Sequence, residues 1–206
     1  MADLVNVLAS AVGSLTNPTK LANTFSSNGI GVSDKTIGLY ISYLEDAFFI
    51  SKAERYDIKG RKYIASPFKY YFTDVGLRNA QLNFRQQEEN HIMENIIYNE
   101  LLVRGFQVDV GIVEHSECDG KGKLVRKRLE VDFVCNRGSQ RYYIQSAFAI
   151  PDSEKMNQEK KSLVHIGDSF KKIIVVKDRI KLWRNEEGIV VIGIMDFLLN
   201  PNSLEL

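Results

Sequence analysis

The sequence predicts a chain of α+β class in two parts, a helical N-terminal region closed by a hairpin and then an α/β unit on a mixed sheet. Three observations predict it. Helical spacing, a break, helical spacing again and a β-hairpin occupy roughly residues 1–72. A stretch rich in breakers, Asp74 to Arg85, follows. From about Gln86 a new pattern starts in the order αβββαβ, without internal repeat, the order of a mixed sheet flanked by helices. The expected domains are 1–80 and 86–206. At 206 residues, 44% hydrophobic and 26% charged, the chain has the composition of an ordinary globular protein.

Each element has a local reason. Leu4 to Val12 alternates at helical spacing and stops at Gly13. Asn17-Pro18 supplies a cap followed by proline at the first helical position, opening a helix over Thr19 to Phe25. Asn28-Gly29 and Gly31 make a turn. Ser33 caps a third helix with Asp34 in its first turn, and Ile37, Tyr40, Ile41 and Leu44 form one apolar face. Phe48 to Tyr56, the turn Lys59-Gly60-Arg61 and the return through Tyr63, Ile64 and Lys69 to Phe72 form the hairpin. Helix, helix, turn, helix and hairpin is the order of a winged helix-turn-helix, with the third helix as reader and the hairpin as wing.

In the second part a helix through Ile92, Ile96, Ile97 and Leu101 ends at Gly105. Strands are expected at Gln107 to Val113, Arg128 to Cys135 and Arg141 to Ile150. A helix over Asp152 to Val164, strands at Lys172 to Val176 and Ile189 to Gly193, and a helical turn at Met195 to Leu199 complete it.

The net charge of +1 hides a basic stretch in the hairpin: Lys52, Arg55, Lys59, Arg61, Lys62 and Lys69 stand against Glu54 and Asp57. A local anionic partner fits this better than a polycationic surface. Lys35 and Ser42 on the reader helix, with Lys59, Arg61 and Lys62 on the wing, are the candidate DNA contacts; a protein partner for the same wing remains open. No apolar run approaches the roughly 20 residues of a membrane helix, and the N-terminus lacks a signal-peptide pattern. Cys118 and Cys135 make no disulfide framework, so a reducing cytoplasm is the expected compartment.

Three polar residues of the second part sit where packing disfavours them. Glu94 lies in line with Ile97, Tyr98 and Leu101. Asp132 interrupts the strand Leu129 to Val134, and Gln145 interrupts Tyr142 to Phe148. A helix glutamate, a strand aspartate and an acid or amide on the next strand is the plan of a divalent-metal nuclease, because Mg2+ or Mn2+ needs clustered oxygens to activate water. His91, His115 and His165 share no ligand spacing. His115, Cys118 and Asp119 are too loosely spaced for zinc. Asp119 to Leu124 lacks the glycine spacing and the Ser/Thr of a phosphate loop.

Several stretches carry a family likeness: Leu15 to Asn23, Thr36 to Asp46 (TIGLYISYLED), Glu54 to Gly60 (ERYDIKG), Lys69 to Asn79 (KYYFTDVGLRN), Met93 to Leu101 (MENIIYNEL), Glu130 to Val134 (EVDFV) and Tyr142 to Gln145 (YYIQ). In these the chain resembles the C-terminal region of prokaryotic AAA-type ATPases, which end in a winged helix and a degenerate restriction-endonuclease-like domain of unknown function. The resemblance implies an N-terminal winged helix-turn-helix followed by a restriction-endonuclease-like α/β domain with a mixed central sheet. In its PD-(D/E)xK pattern Asp132 matches the aspartate, Gln145 the acid and Glu94 the helix glutamate, with Asp132 and Glu94 the metal ligands of a live site. Ala147 stands where the catalytic lysine belongs, and Lys160 on the following helix is the one candidate replacement. The resemblance also implies an ATP-binding domain upstream of Met1 in a longer parent chain, and that domain as a partner.

Three functions follow as expectations: DNA or partner recognition with a catalytically inert core, a metal-dependent nuclease using Asp132, Glu94 and Gln145, and a module that docks onto the parent ATPase.

Overall fold

A computed structural model describes residues 1–85, 88–118, 120 and 122–206. Three helices come first: α1 (Ala2–Ser10), α2 (Pro18–Ser27) and α3 (Asp34–Asp46). Asn17 caps α2 by accepting from Lys20 N, and Ser33 caps α3 by accepting from Thr36 N, so both starts follow from the sequence. The hairpin strands are β1 (Ile50–Asp57) and β2 (Lys62–Phe72). The stretch expected as a connector instead forms α4 (Val75–Gln81). Asp74 caps it by accepting from Leu77 N, and its Arg78 is buried with Nε donating to Ala9 O at 2.9 Å. Tertiary burial overrides the low helix propensity of Gly76 and Asn79.

Next come α5 (Glu89–Val103), β3 (Gln107–Cys118), β4 (Leu124–Arg137), β5 (Gln140–Ala147), α6 (Ser153–Val164), β6 (Lys171–Val176), the two-residue β7 (Trp183–Arg184), β8 (Val190–Gly193) and α7 (Ile194–Leu199). The strands hydrogen-bond in the order β2-β1-β3-β4-β5-β6-β8-β7. The sheet is mixed: β1–β3, β5–β6 and β6–β8 are parallel, while β3–β4, β4–β5 and β7–β8 are antiparallel. The chain is thus an α+β protein with a large mixed sheet, with seven helices among the described residues. None of these helices is long and apolar enough to cross a membrane.

Packing divides the chain into two units, Met1–Glu54 with Ala65–Asn99, and Arg55–Ile64 with Glu100–Leu206. The hairpin tip therefore belongs to the second unit and most of α5 to the first, whereas the sequence pattern divides the chain between residues 80 and 86. The reason lies in pairing: Arg55, Tyr56 and Asp57 run parallel to Val110, Gly111 and Ile112 of β3, and Ile58 N donates to Ile112 O.

In the first unit the core is built from Leu4, Leu8, Phe25, Ile37, Ile50 and Ile97 among others. Asn95, 1% exposed, lends its side chain to the strand above it: Oδ1 accepts from Phe72 N at 2.9 Å and Nδ2 donates to Phe72 O at 2.8 Å. The second unit packs Val131, Val134, Tyr143, Leu163, Ile174 and Val191 into one buried cluster. Gly111 sits in it at a shift of the β3–β4 register. A Cβ there would lie 2.7 Å from Val134 and 2.9 Å from Ile58 and Val131.

Candidate functional site: a cation-lined cleft and a polar strand pair

The polar strand pair lies at the centre of β4 and β5. Their backbone ladder runs from Arg137–Gln140 to Phe133–Ile144. Just beyond it, side chains take over. Asp132, 8% exposed, accepts from Ser146 N through Oδ2 at 2.8 Å. Asp132 N donates to Gln145 Oε1 at 3.4 Å, and Ser162 Oγ on α6 donates to the same oxygen at 3.4 Å. Asp132 and Gln145 are therefore adjacent, as the sequence pattern requires. Ala147, at the position of the expected lysine, is 1% exposed and packed in the apolar cluster with Val131 and Leu163. Lys160 Nζ binds Glu187 Oε1 at 2.5 Å, and Glu187 is held below the usual carboxylate range mainly by that bond.

Glu94 belongs to the first unit. Its Oε1 accepts from Lys69 Nζ at 2.9 Å and from Tyr71 Oη at 2.6 Å. The Lys69 and Glu94 side chains are only 5% and 12% exposed, and Tyr71 stacks on Tyr98 with ring centroids 4.2 Å apart. Gly13 closes over the carboxylate with φ of 70°; a Cβ there would come within 3.2 Å of Glu94 Oε1. An inward glutamate on an apolar stripe is thus accounted for by a buried ion pair with a phenol.

As a dication site the β4–β5 pair is poor. It offers one carboxylate, already accepting a backbone N–H, and one amide oxygen, whereas Mg2+ prefers several charged or water oxygens in octahedral array. Among the described residues no group of three or more His, Cys, Asp or Glu is arranged to hold a metal ion. Of the loose zinc set, His115 Nε2 lies 3.3 Å from Glu117 Oε2, while Asp119 lies outside the described residues, as does Lys121 of the glycine-containing stretch. Glu117 is drawn down to about 2 by Lys127 first, then by Lys161 and His115.

On α3, Lys35 is exposed, and Ser42 donates its hydroxyl to Leu39 O at 2.8 Å. Leu39 and Tyr43, one turn apart on the same helix, are 49% and 51% exposed. The hairpin tip lies in the second unit, with Lys59, Arg61 and Lys62 all exposed. Its turn is fixed by Asp57, whose Oδ1 accepts from Gly60 N at 2.8 Å.

Lys59 and Arg61 line a cavity of about 700 Å³ in the second unit. Its floor is apolar, from Ile58, Val113 and Ile166. Arg141, at the start of β5, forms its other cationic wall. Arg141 Nε donates to Asn136 Oδ1 at 2.7 Å. Its guanidinium carbon lies 5.4 Å from the Tyr56 ring centre and 5.5 Å from that of Phe170. Burial opposes its charge, but hydrogen bonds to Tyr143 and Tyr56 together outweigh that and raise its pKa. The two acids of the lining are engaged. Glu114 pairs with Arg128 at 3.1 Å, and Asp168 accepts from Tyr143 Oη at 2.6 Å and Phe170 N at 3.2 Å. Burial first, and then the bond to Asp168, push the Tyr143 phenol up. Asp132 and Gln145 are not among the residues of this lining. Arg141, Tyr56, Asp168 and Phe170 escape a reading of the sequence because they come from three separate stretches. The polar residues flanking the Gly138 turn are the one local hint.

Residues 1–88 match the model of a family described as a domain of unknown function, DUF8612. An uncharacterized protein of Haemophilus influenzae is 36% identical over 194 residues, which is 93% of this chain and 44% of that protein. The chain thus spans less than half the length of this curated relative. A crystal structure of a Vibrio cholerae protein aligns with 99% of this chain and 54% of its own, at 14% identity and a TM-score of 0.38, a level at which a shared fold is not established.

Proposed function

We propose that the chain recognises nucleic acid without cutting it, as the C-terminal part of a longer cytoplasmic ATPase, with a winged-helix-like first part and a restriction-endonuclease-like second part that keeps the scaffold but not the catalytic set. The observation that carries this reading is the convergence of Lys59, Arg61 and Arg141 on one cavity whose acids, Glu114 and Asp168, are already engaged. Cations gathered on one side of an otherwise neutral protein attract phosphates and release their counterions. Salt-dependent DNA binding tests it. Lys59, Arg61 and Lys62 changed together to alanine weaken binding to all sequences alike and lower the salt slope, by about 0.9 for each duplex phosphate that is no longer neutralised. Unchanged affinity and slope in that variant refute the proposal.

The strand pair supports the absence of cleavage. Nuclease chemistry needs a dication and a cation or base beside the activated water, and here Gln145 supplies a dipole and Ala147 nothing. No turnover is expected with Mg2+ or Mn2+ on linear, supercoiled or branched DNA. Metal-dependent nicking that disappears in Asp132→Ala overturns this and favours the nuclease reading; loss in Lys160→Ala as well would assign the displaced lysine.

A second reading has one observation in its favour. Exposed Leu39 and Tyr43 beside Lys35 on α3 suit a protein surface, such as that of the parent ATPase, better than a phosphate backbone. If Leu39→Ala with Tyr43→Ala leaves DNA affinity intact, α3 is removed as the nucleic-acid reader and the docking reading gains; if affinity falls, α3 reads nucleic acid.

A further inference from the structure

We infer that the cavity of the second unit is a binding site for the phosphomonoester of a nucleotide, with Arg141 as its anchor and Lys59 and Arg61 as its outer cations. The inference deepens the nucleic-acid reading and rests on it for one of two sources of that group, the phosphorylated end of a strand; a free nucleotide is the other.

Size comes first. About 700 Å³ lies inside the range of about 300–1,000 Å³ usual for small-molecule sites, enough for one nucleotide. An apolar floor of Ile58, Val113 and Ile166 under a cationic rim suits a ligand with a flat, weakly polar part and a charged part.

Arg141 is built to present its charge in one orientation. Asn136 accepts from Nε at 2.7 Å, and the rings of Tyr56 and Phe170 brace the guanidinium. A guanidinium carries five donors in a fixed fork, and that fork matches phosphate oxygens. The facing loop is fixed too: Lys172 Nζ donates to Ile166 O at 3.1 Å and to Asp168 O at 3.2 Å. A preformed wall spares a ligand the entropy of ordering it.

Arg61 adds an independent sign. It has φ of 51°, left-handed backbone in which glycine sits without strain and an L side chain does not. The residue lies on the cavity wall, where a glycine would remove the strain but also the charge. Three cations stand against the carboxylates of Asp168 and Glu114, the latter paired with Arg128. They leave the lining net positive, which favours a monoester over a diester, because the former carries nearly two negative charges near neutral pH and the latter one. A chain end can also enter a cavity that a continuing strand would have to leave again.

The test is competition against a fluorescent oligonucleotide tracer at fixed salt, using the whole chain. The competitors are a single strand with a terminal phosphate at either end in turn, the same strand ending in hydroxyls, and adenosine monophosphate. The phosphorylated strand is expected to compete roughly tenfold to a hundredfold better than the hydroxyl one, the scale of one added charge-assisted hydrogen-bond set. Arg141→Lys keeps the charge but not the fork, and should bring the two strands within about twofold of each other. Arg61→Gly, which relaxes the turn and so folds, should reduce the same preference. Equal competition by both strands, or a preference that survives both variants, overturns the inference. In that case hydroxyl-strand binding that depends on Lys59, Arg61 and Lys62 leaves the nucleic-acid reading standing. If no strand binds at any salt, adenosine monophosphate is titrated alone by calorimetry: binding that is lost in Arg141→Lys upholds the site, with free nucleotide as its source, and removes the nucleic-acid reading, while no binding overturns the inference.

Discussion

Replacing Glu94 by alanine removes the carboxylate that Lys69 meets at 2.9 Å and Tyr71 at 2.6 Å, inside a pocket where the two charged side chains are 5% and 12% exposed. Taking one partner from a buried pair leaves the other charge in a poor solvent, at a cost of about 3–5 kcal/mol. Against a total stability of roughly 5–15 kcal/mol, that is a large fraction. For a chain of this length each kcal/mol moves the melting temperature by roughly 2–4 °C, so a drop of about 6–20 °C is expected. Glu94→Gln keeps an acceptor for the Tyr71 phenol and loses the charge, so it should fall between wild type and alanine. Adding Lys69→Met to Glu94→Gln should recover part of the loss, because a buried pair exchanged for apolar groups is often neutral. The assay is thermal unfolding by circular dichroism, run in chelator and again in Mg2+. An ion pair predicts the same drop in both. A metal ligand predicts that Mg2+ raises the wild-type midpoint and that this gain disappears in the variant. A loss of less than about 1 kcal/mol, below the usual cost of one broken buried hydrogen bond, or a loss confined to Mg2+, would refute the reasoning.

Three further outcomes follow from the structure. Gly111→Ala places a methyl 2.7–2.9 Å from Val134, Ile58 and Val131, and overpacking of this kind costs about 1–3 kcal/mol, measurable as a lower denaturant midpoint at unchanged slope. Cys118 is exposed and Cys135 buried, with the Cys135 thiol pushed up by burial and by Asp109; a thiol reagent should therefore modify one cysteine in the native protein and two in denaturant. Glu117 is drawn from 4.5 to about 2 by Lys127, Lys161 and His115, so its contribution is present above the unfolded value and lost as pH falls from about 4.5 to about 2, which a carboxyl NMR titration reads directly.

Much of the element order was legible in the sequence because its signals are local. The caps of α2 and α3, the hairpin turn, the helix α6 after Asp152 and the strand-forming runs of β4 and β5 all act within a few residues. Two elements were not legible. In α4, Gly76 and Asn79 argue locally for a loop, against the cap Asp74 and the burial of Arg78 against Ala9 O. At two residues, β7 carries no periodicity at all. The candidate site divides in the same way. Lys59 and Arg61 stand out by charge, and Asp132 and Gln145 stand out by interrupting strands. Arg141 stands out by neither, since one arginine after a turn is ordinary. Its significance comes from tertiary placement: β1 pairs with β3, and the Tyr56 ring centre comes to lie 5.4 Å from the Arg141 guanidinium. Glu94 was legible as an anomaly, while its partners Lys69 and Tyr71 read as part of a hairpin strand.

The two-residue β7 has a consequence for self-association. It lies at the outer edge of the sheet beside β8, whose four residues are all buried. Arg184 in turn reaches back to Leu206 O at 3.0 Å. A sheet margin is a template on which a foreign strand can grow, and a long flat apolar margin invites polymerisation. Here β7 gives an incoming chain only the outer side of Trp183 and Arg184, one bulky and one charged residue, as backbone to copy. Ordered growth needs a register several residues long to offset the entropy of immobilising each added strand. So brief a margin starves that growth at its first step, and the apolar β8 behind it is kept from serving as a seed.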